Sequence, residues 1–427
     1  MKLNTVCGNI IEREIVLYGD SEEIGNFLER YQSVLKIKAV ITDHKKEVKL
    51  QSYMVAGVKT ILVEDMVFEE ELIIVCDRTR FGTLLRRLKH LGKVEYRDFI
   101  SQELVEALVY QKDLLVCMGT QLLGQVCALL EQGSQAPDKY SILYYIESDI
   151  WEQYMNRLQE YMHVCRWCDV YVYSSCEKER FPFKILGKNA LSPQCRVITV
   201  SDHGFGGYFP QIIRNRDIFS DFMLRERERL DLNYETFAFS RVDKEIERFC
   251  KEKRSVEDIV AQVLDTDFYS REEVKKYFDL EVKRLKTMEA SDDIRLGDFI
   301  QAHQKECLCR NLNEWNEPVV SYVTDELLER LGLPGVSLNK VERQNLIEQN
   351  SGSEILIYPS VQKALGLEEE LTNKKYRVTT YYHVRYMLKE EYVRFLAEYL
   401  YRAMDLMQLM GADEELQKRI NSDKTIA

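Results

Sequence analysis

The sequence predicts an α/β fold built on two parallel sheets. Short apolar runs alternate with amphipathic stretches of helical period, which is the pattern of strands joined by helical crossovers. The first such strand, turn and helix starts at Ile15. A second start follows at Leu114, and the two starts indicate two sheets rather than solenoid units.

Length and composition narrow the class of protein. The chain has 427 residues, a length that favours two or three domains. Hydrophobic residues make up 45% and charged residues 30%, a composition that excludes a disordered chain. A net charge of −12 argues against nucleic acid as the main partner. No apolar run reaches the roughly 20 residues of a spanning helix, and Met1–Glu14 lacks a secretion signal. Eleven cysteines suit free thiols in a reducing cytoplasm, where we expect the protein.

The first domain, residues 1–108, reads as strands alternating with helices. Amphipathic helices are predicted from Ile24 to Tyr31 and from Leu84 to Leu91, where Gly92 ends the second. In such sheets ligands lie beyond the carboxyl ends of the strands. The predicted strands are Glu14–Tyr18, Ile37–Ile41, Thr60–Val63 and Glu71–Cys76.

The first strand-to-helix turn departs from a dinucleotide fingerprint. Only Gly19 fits that fingerprint, because Ser21 occupies the second glycine position and Gly25 comes one residue late. Acidic residues such as Asp20 repel a phosphate at this helix start. Asp43 can hold a ribose hydroxyl, but a scaffold with a degenerate loop is the preferred interpretation. The same turn offers a weaker alternative, a hydrolase with Ser21 as nucleophile.

The run from Ile15 to about Ile100 resembles the Rossmann-like N-terminal domain of nucleotide-sugar and polysaccharide biosynthesis proteins. The resemblance rests on the glycine turn after the first strand and on three later segments. These are Ile37–Asp43, Ile73–Val75 and the helix end Leu88–Gly92 followed by Tyr96–Ile100.

The second domain, residues 109–427, repeats the strand, turn and helix pattern. The turn Met118–Gln121 precedes an apolar helix, and a glycine-rich and aromatic loop, Ser201–Pro210, follows the last strand. A helical insertion is predicted at about 217–290, and a C-terminal helix at about 390–410. The predicted strands are Asp113–Cys117, Ser141–Ile146, Asp169–Ser174 and Arg196–Val200.

The order of the landmarks in this domain resembles the WcbI-type capsular polysaccharide biosynthesis family over roughly residues 112–400. The resemblance implies an SGNH/GDSL-like α/β domain and an acetyltransferase that binds coenzyme A or acetyl-CoA. A sugar or nucleotide-sugar is then the implied substrate. The landmarks are Asp113–Leu130, Asp169–Ser174, Gly206–Pro210, Leu308–Gly332, Tyr358–Ser360 and Leu365–Leu367.

Two positions depart from the family pattern. The family's Gly-Asn-Cys-Gln turn aligns with Gly119-Thr120-Gln121-Leu122, so Gln121 stands in the place of the cysteine and cannot act as a nucleophile. The family's Asn-His-Pro block appears as Asn316-Glu317-Pro318. Glu317 can serve as a general base, and direct acyl transfer needs only a base and an oxyanion site. Thr120, Gln121 and the N–H groups at the helix start can supply that site.

The glycine-rich loop carries further candidates. His203 is either a base for a sugar hydroxyl or a loop histidine bonded to backbone. Tyr208 and Phe209 either stack on an adenine or sugar or anchor the loop. Cys165 and Cys168 form a Cys-x-x-Cys without a second pair, which favours buried free thiols over a metal.

The sequence therefore leaves two functions open, and it also leaves open whether the site is catalytically competent. The first is acyl transfer, in which polar groups from three stretches converge at the edge of the second sheet. The second is a catalytically degenerate ligand-binding or scaffolding protein of glycan assembly. The sequence leaves the oligomeric state open, with a homo-oligomer as one option, and predicts no metal. Candidate catalytic residues are His203, Glu317, Thr120 and Gln121, and candidate cofactor-binding residues are Gly119, Tyr208, Asn316, Gly19 and Asp43.

Overall fold

The computed structural model divides into two compact units. Unit 1 comprises Met1–Asp202, Asp292–Ile294 and Ser321–Asn339, and unit 2 comprises His203–Ser291, Arg295–Val320 and Lys340–Ala427. Unit 1 carries two parallel sheets, which confirms the predicted α/β class. The structure describes residues 3–19, 21–42, 58–62, 70–146, 154–175, 189–212, 243–348, 352–367, 371, 374–379 and 384–409.

The first sheet of unit 1 is Rossmann-like. Its five strands are parallel in the order β3-β2-β1-β4-β5. Alternate residues of β1 enter opposite cores, Ile15 and Leu17 on one face and Val16 and Tyr18 on the other, because successive strand side chains point to opposite faces. The elements are α1 (Leu3–Cys7), β1 (Glu14–Gly19), α2 (Ser21–Tyr31), β2 (Lys36–Thr42), β3 (Lys59–Leu62), β4 (Leu72–Cys76), α3 (Phe81–His90) and β5 (Phe99–Ser101).

The second sheet of unit 1 has four parallel strands in the order β7-β6-β8-β9. The chain therefore reverses its winding direction between β6 and β8, and the crevice at such a switch point is where α/β sheets bind ligands. The elements are α4 (Val105–Tyr110), β6 (Asp113–Gly119), α5 (Gln121–Gly133), α6 (Ala136–Lys139), β7 (Tyr140–Ile146), α7 (Tyr154–Cys165), β8 (Val170–Ser175) and β9 (Arg196–Ser201).

Every strand predicted from the sequence is present, and no strand end differs from its predicted position by more than two residues. Strand β5 is not predicted from the sequence, because three residues are too few to show the two-residue period of a strand. Within the described ranges, no helix is both long enough and apolar enough to cross a membrane. The SGNH/GDSL-like character of the second domain stays a prediction.

Unit 2 is mainly helical and adds one antiparallel hairpin, β10-β11. The described part of the predicted insertion is helical, and residues 217–242 of it lie outside the described ranges. The remaining elements of the chain are α8 (Lys244–Lys251), α9 (Val256–Val263), α10 (Arg271–Met288), α11 (Gly297–Ala302), α12 (Glu317–Leu331), α13 (Lys340–Glu348), α14 (Pro359–Leu365), β10 (Tyr376–Thr379), β11 (Val384–Met387) and α15 (Lys389–Leu409). From Ser321 onwards, α12 belongs to unit 1.

Two helices of this stretch bear on the sequence predictions. Helix α15 lies where the sequence predicts a C-terminal helix at about 390–410. Helix α12 begins at Glu317, inside the block Asn316-Glu317-Pro318. Pro318 fits the first helical turn because its missing N–H has no partner there, and the Glu317 carboxylate favours the positive end of the helix dipole.

Candidate functional site

The carboxyl ends of β6 and β8 meet at the switch point of the second sheet. Gly119 ends β6, and a Cβ there would overlap Ser174 Oγ and lie 2.9 Å from Leu123 Cδ1. Glycine is thus required by the close approach of the neighbouring strand and helix. The Thr120 hydroxyl donates to the Asp202 carboxylate. This edge therefore combines a hydroxyl, a carboxylate and a packed glycine.

The turn after β6 leads directly into helix α5, whose first residue is Gln121. Thr120 occupies the N-cap with extended backbone, yet its side chain makes no capping hydrogen bond. Its carbonyl accepts a hydrogen bond of 2.7 Å from the Tyr144 hydroxyl. The first turn of α5 contains no acidic residue, so its backbone N–H groups suit developing negative charge.

The glycine-rich loop of unit 2 is held firmly against α10. The Gly206 N–H donates to Glu281 Oε2 at 3.0 Å, and the Tyr208 hydroxyl donates to the Glu306 carbonyl at 2.8 Å. The Tyr208 ring also packs 5.6 Å from that of Phe278. Tyr208 is fully buried, as a residue that anchors the loop would be. His203 is also buried and lies at the start of the same loop.

A cavity of about 620 Å³ in unit 2, here called the basic cavity, contains two of the predicted residues side by side, Asn316 and Glu317. Its basic side chains outnumber its carboxylates, although the chain as a whole is acidic. The lining residues are Cys307, Arg310, Asn316, Glu317, Pro318, Lys340, Gln344, Glu348, Glu354, Leu371, Lys374, Lys375, Arg377 and Tyr386.

The two predicted residues of the basic cavity are fixed by their neighbours. Glu317 Oε1 lies 2.9 Å from Arg343 Nε, and the Glu317 side chain is buried. The Asn316 amide donates to the Cys307 carbonyl at 2.6 Å. Glu317 therefore presents a carboxylate of defined position at the start of α12.

The basic residues of the cavity carry donors that the described part of the chain does not satisfy. Arg310 lies 3.6 Å from Glu348 and 3.8 Å from Glu354, and Lys374 lies 3.2 Å from Glu354. Among the described residues, the buried Nε atoms of Arg310 and Arg377 have no hydrogen-bond partner. Since buried donors without acceptors are costly, these side chains fit an anionic group such as a phosphate.

The sequence does not reveal these basic residues as a group, because they are dispersed between positions 310 and 377 and form no motif. Proximity in the fold, rather than spacing along the chain, brings them to one cavity. The one signal that the sequence can offer is an excess of basic residues over the segment 305–377, and the acidic residues of that segment hide such an excess.

The candidates of the first sheet lie at its carboxyl edge or outside the described residues. A Cβ at Gly19 would overlap the Cys76 carbonyl and lie 3.1 Å from the Asp77 nitrogen, so the glycine allows β1 and β4 to approach closely. Asp77 itself is bound by Arg80 Nε at 2.7 Å. Asp43 and the side chain of Ser21 lie outside the described residues.

No three His, Cys, Asp or Glu side chains of the described ranges are grouped as metal ligands would be. Cys165 and Cys168 are both buried. Burial raises the pKa of each thiol well above its ordinary value, so both stay protonated near neutral pH.

The comparisons with known proteins converge on one family. The family model described as polysaccharide biosynthesis enzyme WcbI matches residues 186–336, which contain the His203 loop and the Asn316-Glu317 pair. A solved structure of WcbI, described as a novel polysaccharide biosynthesis enzyme in native form without a disulfide bond between COA and a cysteine, is similar at a TM-score of 0.50 and 12% identity. The match covers 72% of this chain and 98% of that chain.

No curated protein matches the chain. The resemblance to the WcbI family is confirmed over residues 186–336, a shorter stretch than the predicted span of 112–400. At 12% identity the structural likeness shows a shared fold.

Proposed function

We propose that this protein is a coenzyme A-linked acyl transferase that acts on a sugar in surface polysaccharide biosynthesis. The observation that carries the proposal is the basic cavity. It places Asn316 and Glu317, which lie in the segment matched by the WcbI family model, beside basic side chains suited to phosphates. Acetyl is the acyl group that the family resemblance implies.

The basic cavity fits the anionic part of coenzyme A. This cofactor carries a diphosphate and a ribose phosphate, and arginine pairs with phosphate through two parallel hydrogen bonds. The contacts of Arg310 with Glu348 and Glu354 exceed the about 2.7–2.9 Å of a charge-assisted hydrogen bond. Arg310 thus has donors left for a ligand, and with Lys374 and Arg377 it would bind the phosphates.

Glu317 is the base that we assign to the basic cavity. Bound coenzyme A would supply an acyl group activated as a thioester. Glu317 would accept the proton of the sugar hydroxyl, and Arg343 would hold the carboxylate in position. The hydrogen bond from Asn316 to the Cys307 carbonyl would keep the wall beside Glu317 in place.

The remaining candidates keep separate proposed roles. The backbone N–H groups of Thr120, Gln121 and the rest of the first turn of α5 would stabilise negative charge, with Gly119 shaping the turn. His203 is a second candidate base. We expect Thr120→Val to lower turnover, because it removes the hydroxyl that holds this turn to Asp202. The matched control is Thr199→Val, which also removes a threonine hydroxyl bonded to an aspartate, Asp293.

Calorimetric titration with coenzyme A and acetyl-CoA, together with an assay of thioester cleavage, tests the proposal. We expect the wild type to bind both and to cleave acetyl-CoA. The Glu317→Gln variant should still bind both ligands and should lose turnover. Loss of turnover in His203→Ala, with turnover kept in Glu317→Gln, would instead identify His203 as the base. Failure of both ligands to bind would overturn the coenzyme A proposal.

A catalytically degenerate binding protein is the second candidate. Glu317 is paired with Arg343 in the structure, and Gln121 stands where the family has its cysteine. Coenzyme A binding that survives both Glu317→Gln and His203→Ala, without turnover in any form, would favour this candidate over the enzyme.

A further inference from the structure

Unit 1 contains a second cavity, of about 420 Å³, that none of the candidate site residues lines. We call it the unit 1 cavity. Its volume falls in the range of about 300–1,000 Å³ that is usual for small-molecule sites. The lining residues are Glu23, Asn26, Phe27, Arg30, Tyr31, Arg78, Gln102, Glu103, Glu106, Glu131, Ser141, Ile142, Leu143, Tyr144, Tyr145 and Arg157.

Two buried polar atoms of this lining lack hydrogen-bond partners among the described residues. They are Ser141 Oγ and the Tyr145 hydroxyl, and the two residues are 1% and 3% exposed. Both lie on β7, the edge strand of the second sheet. Buried hydroxyls without partners are rare because each loses its hydrogen bonds to water. A polar ligand in the cavity would restore those bonds.

The charges of the unit 1 cavity disfavour an anionic ligand. Four glutamates and three arginines line it. Two of the arginines are already engaged, Arg78 with Glu103 and Arg157 with the buried Glu160. No excess of positive charge remains to attract a phosphate, in contrast to the basic cavity of unit 2.

The same groups suit a molecule with many hydroxyls. Carboxylates accept hydrogen bonds from hydroxyl groups, and arginine and tyrosine donate to them. Aromatic rings offer flat apolar surface for the C–H face of a sugar ring. The rings of Phe27 and Tyr31 lie 4.9 Å apart in the lining, and Tyr144 adds a third.

We infer that the unit 1 cavity binds an uncharged saccharide, with Ser141 Oγ and the Tyr145 hydroxyl bonded to its hydroxyl groups. Every lining residue belongs to unit 1, and none lies in the segment matched by the family model. The inference therefore stands whether or not coenzyme A binds to unit 2.

Ligand-observed NMR titration of the full chain tests the inference. The probes are the methyl glycosides of glucose, galactose, mannose and N-acetylglucosamine, and uridine diphosphate serves as an anionic probe. We expect at least one glycoside to bind without coenzyme A and not to be displaced by the diphosphate. Ser141→Ala and Tyr145→Phe should each weaken that binding by roughly fivefold, the effect of one lost hydrogen bond.

Two control variants separate the site from general effects on the sheet. Tyr140→Phe changes a buried tyrosine of the same strand that does not line the cavity. Ser174→Ala removes a buried hydroxyl that has no hydrogen-bond partner among the described residues and also lies outside the cavity. Neither should change glycoside affinity.

The thermal midpoint of the ligand-free protein provides a second readout. Ser141→Ala and Tyr145→Phe should leave it unchanged or raise it, because each removes a buried polar atom that has no hydrogen-bond partner in the described part of the chain. Lack of binding by all four glycosides would overturn the inference. So would unchanged affinity in both cavity variants, or displacement of a bound glycoside by uridine diphosphate. A failed coenzyme A titration refutes the proposed function alone.

Discussion

Arg343 Nε lies 2.9 Å from Oε1 of Glu317, which lines the basic cavity. The pair joins helix α13 to the first residue of α12. Only 8% of the Glu317 side chain is exposed, against 23% of that of Arg343. The carboxylate therefore depends on the guanidinium for the interactions that water would otherwise provide.

Removal of Arg343 alone should destabilise the fold. Arg343→Met leaves a buried carboxylate without its counter-charge, and we expect the free energy of unfolding to fall by about 3 kcal/mol. The double variant Glu317→Gln with Arg343→Met should recover most of this loss because it removes both charges. Urea denaturation measures both effects. Equal losses in the single and double variants would contradict the dependence of Glu317 on Arg343.

Arg310 and Arg377 of the basic cavity should determine coenzyme A affinity. We expect Arg310→Met and Arg377→Met each to weaken binding by about tenfold, since each removes a charge-assisted hydrogen bond to phosphate. The matched control is Arg385→Met, an exposed residue of β11 outside the cavity lining. Calorimetry at rising salt checks the electrostatic origin, because salt weakens attraction between charges. Unchanged affinity in both cavity variants would place the phosphates elsewhere.

Gly119 should tolerate no side chain. Gly119→Ala places a Cβ against Ser174 and 2.9 Å from Leu123 Cδ1, and overpacking of this kind lowers the free energy of unfolding by about 1–3 kcal/mol. Ser174→Gly in the same chain should relieve part of the effect. Gly25→Ala is the control: among the described residues its Cβ would have no neighbour within 4 Å, and Gly25 lies in the middle of α2, so the change should stabilise the protein by about 0.5–1 kcal/mol.

Glu160 should make stability depend on pH. Burial, and after it the charge of Glu103, raises the pKa of Glu160 to about 8 from an ordinary 4.5, although Arg157 and Arg78 oppose the shift. Between these two pH values the folded state keeps a proton that the unfolded state releases. The free energy of unfolding should therefore fall as pH rises through this window.

Urea denaturation across the same window compares wild type with Glu160→Gln. The advantage of the wild type over this variant should shrink with rising pH, by at most about 1.4 kcal/mol per pH unit. Glu29→Gln, an exposed change on α2, should follow the wild type. Parallel curves for wild type and Glu160→Gln would show that Glu160 does not gain a proton on folding.

The sequence predicted the parallel sheets because strands buried on both faces are apolar throughout, as in Leu72–Cys76. It did not predict β5, which has only three residues, or the hairpin β10-β11, which is short and partly exposed. It identified Asn316 and Glu317 through their place in a family block. It could not identify Arg343 as the partner of Glu317, because that contact is made only in the folded chain. Nor could it show that the Tyr145 hydroxyl lacks a hydrogen-bond partner among the described residues, because this depends on packing in the folded chain.

Cys195 should be the thiol that reacts first with an alkylating reagent. Of the cysteines that the structure describes, it alone is partly exposed. A hydrogen bond with Cys168 lowers the pKa of Cys195, because it stabilises the thiolate, whereas burial raises the pKa of Cys7 and Cys250 to about 12.

We expect iodoacetamide to show one fast phase, which Cys195→Ser removes and Cys168→Ala slows near neutral pH. Cys168→Ala removes this hydrogen bond and keeps the Cys195 thiol, so slower alkylation reports the effect of the pKa of Cys195 on the rate. The experiment is made in a Cys176→Ser chain, since Cys176 lies outside the described residues. A fast phase that persists in Cys195→Ser would assign the reactive thiol to another cysteine and contradict the exposure of Cys195.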